Sequence, residues 1–128
     1  MIIGGKVTGV EVKKNVERVP RTFNFDIKLK DVETNGEEVE VTYYYTVQYE
    51  NNAGHIRMEG VLVTKEKEEM VRSIQSEWKK TKTLPPAYAE MILSAITYGG
   101  GSNGTLLATV VNLPPPLMPP RIQVGKEQ

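Results

Sequence analysis

The hydrophobic period of this chain changes once, near residue 63, from two residues to about three and a half. Upstream, Phe23, Phe25, Ile27 and Leu29 alternate with Asn24, Asp26, Lys28 and Lys30. Val39, Val41, Tyr43, Tyr45, Val47 and Tyr49 likewise alternate with mostly polar neighbours. A period of two puts successive side chains on opposite faces of a strand, so each run has one face to bury. From Glu66 onward the apolar residues fall at helical spacing instead. Strands followed by helices predict an α+β fold: a four-stranded, mostly antiparallel sheet followed by two helices, with the sheet covered by the helices and by oligomer contacts.

The punctuation of the first half places the strands. Residues 7–13 read as a first strand in which Val7 is out of phase with Val10 and Val12, and Gly9 between them predicts a bulge. Val19-Pro20 is a break before the second strand at Phe23. Asn35-Gly36 is a hairpin signal into the third strand, and Asn51-Asn52-Ala53-Gly54 leads into a fourth over 56–63, where Ile56, Met58, Gly60 and Leu62 share a face.

Thr64 reads as the cap of the first helix, with Glu66, Glu68 and Glu69 in its first turns and Lys79 and Lys80 near its end, a charge order that complements the helix dipole. Met70, Ile74 and Trp78 are spaced four apart and form its narrow apolar stripe. Leu84-Pro85-Pro86 ends that unit, and Pro86 suits the first position of a second helix, where its missing N–H has no partner anyway. Beyond it Ile92, Ile96, Gly99, Asn103, Leu106, Val110 and Leu113 keep a heptad phase through the cluster Gly99-Gly100-Gly101-Ser102-Asn103-Gly104. Two readings follow. Interior glycines each cost about 1 kcal/mol against alanine, which predicts a helix ending at Tyr98, then a loop and a short element from Thr105. The heptad phase predicts one long helix to Asn112 whose small-residue middle crosses another helix closely, with Ile92, Ile96, Gly99, Gly100 and Gly101 as the helix-crossing and oligomer residues.

Composition removes several function classes. The length, 128 residues, suits one domain, read as 1–113, with a Pro-rich tail over 114–128. Sixteen Lys and Arg balance sixteen Asp and Glu, so no strong field for nucleic acid or an anionic membrane is implied. With no cysteine there is no disulfide framework and no thiolate metal site. No leader pattern and no long apolar run is present, which predicts a soluble, cytoplasmic protein with no membrane insertion. The single histidine, His55, belongs to a hairpin region, and Ser73, Ser76, Ser94 and Ser102 lack a nucleophile-elbow context. Asp26 and Asp31 are the only aspartates, and no paired-carboxylate, metal or cofactor constellation stands out, so no enzyme is expected. Gly104 is followed by Thr105 and Leu106 with no lysine near, unlike a phosphate loop. Of Tyr43, Tyr44, Tyr45 and Tyr49, only Tyr44 should point outward, too little for a base-stacking platform.

Two short stretches carry a resemblance. Leu84-Pro85-Pro86-Ala87-Tyr88-Ala89-Glu90 is similar to the segment that opens the long helix in the SecB family of export chaperones, and Asn112-Leu113-Pro114-Pro115 resembles the Asn-Leu-Ala-Pro segment after it. The order of elements from 7 to 117 matches as well, and the likeness is closer to a divergent, archaeal or other SecB-like protein than to a bacterial SecB proper. The resemblance implies a homotetramer, a dimer of dimers with sheets outside and long helices between, that holds unfolded or precursor polypeptides in apolar grooves. The tail Pro114-Pro115-Pro116-Leu117-Met118-Pro119-Pro120-Arg121-Ile122 departs from the zinc-binding tail by which many bacterial members engage the ATPase SecA, which speaks against a SecA-type partner.

Adaptable apolar side chains suit a surface that accepts many unfolded chains. Met70, Ile74, Trp78, Leu84 and Tyr88 flank the sheet–helix joint, and Leu113, Leu117 and Met118 would form the other wall, so these eight are the candidate client-binding residues. Taken singly, each is better explained as a core or oligomer contact, and it is their clustering around the proline-marked joints that points to a groove. Two functions remain open at this point: an ATP-independent holdase, serving export or another client fate such as antitoxin protection, and a non-catalytic oligomeric adaptor of the same architecture.

Overall fold

The computed structural model describes residues 1–116. Four strands, β1 (Ile2–Lys14), β2 (Phe23–Asn35), β3 (Glu38–Tyr49) and β4 (Gly54–Lys65), form one antiparallel sheet in the order β1-β4-β3-β2. Two helices follow, α1 (Glu68–Thr81) and α2 (Pro86–Val111). The predicted fold class is the observed one.

Local chemistry explains the joints. The β2–β3 hairpin closes at the Asn35–Glu38 pair, and Gly36 takes φ 65°, a left-handed conformation that glycine adopts without a Cβ penalty. Between β3 and β4 the chain makes one 3₁₀ turn, Glu50–Asn52, in which Asn51 and Asn52 both have positive φ. The Glu50 carboxylate accepts the Arg21 N–H at 3.0 Å and the Thr22 hydroxyl at 2.9 Å, fastening the start of β2. The Arg21 bond, followed by the Thr22 hydroxyl, holds the Glu50 carboxyl below the usual range.

Three expectations change in detail. β1 begins at Ile2 rather than Val7, with register shifts at Ile2/Gly4 and Val7/Gly9; the second is the bulge that Gly9 predicts, and the first hides the start of the strand from any strict alternation. Thr64 is not a helix cap. It ends β4 on the buried face, fully inaccessible, and its hydroxyl meets the Tyr88 hydroxyl at 2.8 Å; the residue before α1 is Lys67, which makes no side-chain cap bond. The glycine cluster is helical, so of the two readings the long helix holds, ending one residue earlier at Val111 with Asn112 left-handed and the Leu113 N–H closing on the Ala108 carbonyl at 2.9 Å.

The core lies between one sheet face and both helices. Val39, Val41, Tyr45, Val47 and Tyr49 from β3, with Ile56 and Met58 from β4, meet Val71, Ile74 and Trp78 of α1 and Tyr88, Ile92, Ile96 and Ala108 of α2. Full burial of each large side chain contributes about 1.5–3 kcal/mol, enough in sum to override the helix propensity of the glycines. Phe25 stacks on Tyr45 with centroids 5.7 Å apart. A Cβ at Gly100 would lie 2.5 Å from Cδ2 and Cε2 of Tyr45, so at this position the close neighbour within the protomer is a ring of the sheet.

The buried line of α2 is Tyr88, Ile92, Ile96, Gly100, Gly104 and Ala108, a spacing of four throughout, joined by Gly101. At 3.6 residues per turn a step of four advances about 40° around the helix, so this line winds across the twisted sheet. The heptad line read from sequence stays straight instead. It starts against the sheet at Ile92 and Ile96 and emerges in the second half, where nothing lies within 4 Å of a Cβ at Gly99, Leu106 is 69% exposed and Val110 81%.

Candidate functional site

α1 packs against β2, an edge strand of the sheet, and the Gln75 amide donates to the Thr34 hydroxyl of β2. Its inward residues Val71, Ile74 and Trp78 enter the core, but the helix does not close fully on β2. β2 carries a register shift between Leu29 and Asp31, and the Val32 N–H there is turned onto its neighbour's carboxylate, Asp31 Oδ1, at 2.9 Å. An open cleft of about 570 Å³ results, lined by Asp31, Val32, Arg72, Trp78, Lys79 and Lys82 with polar groups between. Trp78, 8% exposed, is its one aromatic lining residue, and Lys82 Nζ sits over the indole 5.3 Å from the ring centroid. Lys82 ends α1 at φ 58°, its N–H donating to the Trp78 carbonyl at 3.0 Å.

A second depression, about 220 Å³ and almost wholly apolar, lies between β1 and the second half of α2, bounded by Val7, Val10, Met58, Asn103, Leu106 and Leu107. Val7 is 41% and Val10 56% exposed, and with Leu106 and Val110 they form an apolar face that the described residues leave uncovered.

The candidate client-binding residues divide three ways. Ile74, Leu84, Tyr88 and Leu113 are core, at 7% exposure or less, and Trp78 is core and also lines the cleft. Met70 is half-buried against the core. Leu117 and Met118 lie outside the described residues. Of the helix-crossing set, Ile92, Ile96 and Gly100 face the sheet, Gly101 is buried, and Gly99 faces outward. Sequence reasoning found Trp78 but missed Arg72, Lys79 and Lys82 around it. Lys79 and Lys82 stand one and four residues from Trp78, a legible signal; the bulge that places Asp31 and Val32 opposite them is not.

The rest of the titratable chemistry is structural. His55 pairs with Glu11 across β1 and β4, with Arg57 at 4.0 Å, and the His55 hydrogen bond is what most lowers the Glu11 carboxyl. Lys30 bridges Tyr44, 5.4 Å from its ring centroid, and Glu59, at 3.4 Å, on the face of the sheet away from the helices. Burial raises Tyr43, Tyr45, Tyr49 and Tyr88, with Tyr49 pushed up to about 12. Among the described residues there is no group of three or more His, Asp or Glu fit to hold a metal, and no helix long and apolar enough to cross a membrane.

No family model matches the chain, and no curated protein matches it in sequence. Its fold is similar to that of a solved SecB-like chaperone of Mycobacterium tuberculosis, in complex with a ChAD peptide from the HigA1 antitoxin. The superposition has a TM-score of 0.54 at 10% identity and covers 90% of this chain and 82% of that one.

Proposed function

We propose that this chain is an ATP-independent holdase that binds unfolded polypeptides, with precursors awaiting export as the client class, and that it is not an enzyme. The observation that carries the reading is the shared fold with a SecB-like chaperone that is itself bound to a peptide. The cleft beside Trp78 supports it, because it is open and its lining mixes an aromatic and an aliphatic side chain with polar and charged ones. An extended chain in such a cleft is held by burial of apolar area without a fixed sequence requirement, which suits clients of many sequences.

The assembled form we propose is a homo-oligomer, a dimer of dimers, built on the uncovered face of Val7, Val10, Leu106 and Val110. One observation favours the adaptor reading instead: four of the eight residues expected to touch clients, Ile74, Leu84, Tyr88 and Leu113, are spent on the core of the protomer. Aggregation of a chemically unfolded client, followed by light scattering with and without the protein, separates the two. A holdase suppresses scattering at near-stoichiometric ratios without nucleotide, and an adaptor leaves it unchanged.

A further inference from the structure

The charges at the cleft are not balanced, although those of the chain are, at sixteen of each sign. Arg72, Lys79 and Lys82 line it against one carboxylate, Asp31, which already accepts the Val32 N–H. Arg72 is paired with Glu68, one turn back on α1. Glu77, the other carboxylate on this end of the helix, is turned to the Thr83 hydroxyl at 3.5 Å. Lys79 and Lys82 line the cleft with Trp78, and neither is in an ion pair among the described residues; Lys82 Nζ sits over the Trp78 ring, 5.3 Å from its centroid. Both are exposed, and Lys82 ends α1 in the left-handed conformation at φ 58°.

We propose that the cleft selects acidic peptide segments: an apolar or aromatic side chain seated beside Trp78, with neighbouring Asp or Glu reaching Lys79 and Lys82. This rests on the holdase reading and adds to it a charge preference that the fold alone does not supply. Two ammonium groups at the mouth of a cleft steer and orient a negatively charged segment, and such contacts are screened as salt rises.

The test uses the full chain and short fluorescein-labelled peptides with one apolar centre and flanks of glutamate, serine or lysine, read by anisotropy. At about 0.01 M salt, where screening reaches only beyond about 30 Å, we expect the glutamate peptide to bind about tenfold tighter than the serine peptide, a difference of about 1.4 kcal/mol, and the lysine peptide to bind weakest. Near 1 M salt the three should converge to within about twofold, since the screening length falls to about 3 Å. Lys79→Gln with Lys82→Asn should remove the preference at low salt while the oligomer stays intact; asparagine keeps the left-handed position tolerable. Equal binding of all three peptides, or preference for lysine, overturns the proposal and leaves the holdase reading standing. If no peptide binds and client aggregation is not suppressed either, both fall.

Discussion

Gly99 and Gly100 are neighbours on α2 with opposite surroundings, and replacing each by alanine isolates the contact that lets the helix lie on the sheet. Both changes remove an interior glycine and gain about 1 kcal/mol of helix propensity. At Gly99 nothing lies within 4 Å of the new methyl, so the gain is kept. At Gly100 the methyl falls 2.5 Å from two carbons of the Tyr45 ring and 2.8 Å from a third. That ring is 1% exposed and stacked on Phe25, so it has nowhere to go, and overpacking of this kind costs about 1–3 kcal/mol. Gly99→Ala should therefore be stabilised by about 1 kcal/mol and Gly100→Ala should end between about neutral and 2 kcal/mol destabilised. The propensity terms cancel in the comparison, leaving about 1–3 kcal/mol, or about 4–12 °C in Tm at about 4 °C per kcal/mol for a chain of this size. Urea unfolding followed by Trp78 fluorescence measures the difference. A gain at Gly99 that varies with protein concentration would mean that an interface covers this position. Equal midpoints for the two variants at low concentration would refute the Tyr45 contact and with it the reason for the glycines.

Tyr88→Phe should cost about 1–3 kcal/mol because it leaves the Thr64 hydroxyl, fully buried, without its partner at 2.8 Å, and adding Thr64→Val should recover most of the loss; a double-mutant cycle in urea checks the coupling. Leu106→Lys with Val110→Lys changes residues 69% and 81% exposed in the protomer, so circular dichroism should not change while sedimentation shows dissociation toward monomer; an unchanged oligomer would place the interface elsewhere. Alkaline titration should be destabilising. Burial holds Tyr49 neutral in the folded state up to about 12 against about 10 unfolded, so its contribution, on the order of 2 kcal/mol, is complete below pH 10 and lost as pH rises toward 12, with Tyr43, Tyr45 and Tyr88 acting in the same direction. Tyrosinate absorbance appearing together with loss of tertiary signal would confirm the coupling, and early absorbance in a folded protein would contradict it.

The sheet was legible because each central strand alternates cleanly and each hairpin carries its own turn residues: Asn35-Gly36 closes β2 onto β3 with no help from distant contacts. β1 was legible only in its second half, since Ile2-Ile3-Gly4-Gly5 has no period and becomes a strand because β4 offers it a partner. Thr64 misled because threonine before acidic residues reads as a cap, whereas burial beside Tyr88 gives its hydroxyl another use. The glycine helix could not be decided from propensity, because the term that stabilises it is the Tyr45 ring, half the chain away in sequence. The cleft was half legible: Trp78 stands out as the only tryptophan, but its opposite wall depends on a one-residue shift in β2 that nothing in the composition announces.

The strand order β1-β4-β3-β2 also sets a folding schedule. β2, β3 and β4 are joined by tight connections and can zip as neighbours, whereas Ile2 must find Thr64 and Lys14 must find Gly54, closing a loop that contains the whole meander. Loop-closure entropy makes that pairing late. The strand made first is thus the last to be docked, and until β4 has formed its Ile2, Ile3, Val7 and Val10 have no ladder to join. Pulsed hydrogen exchange during refolding should show amides of β3 protected before those of β1. A protein proposed to shelter unfinished chains would then pass through a stage at which its own first strand needs shelter.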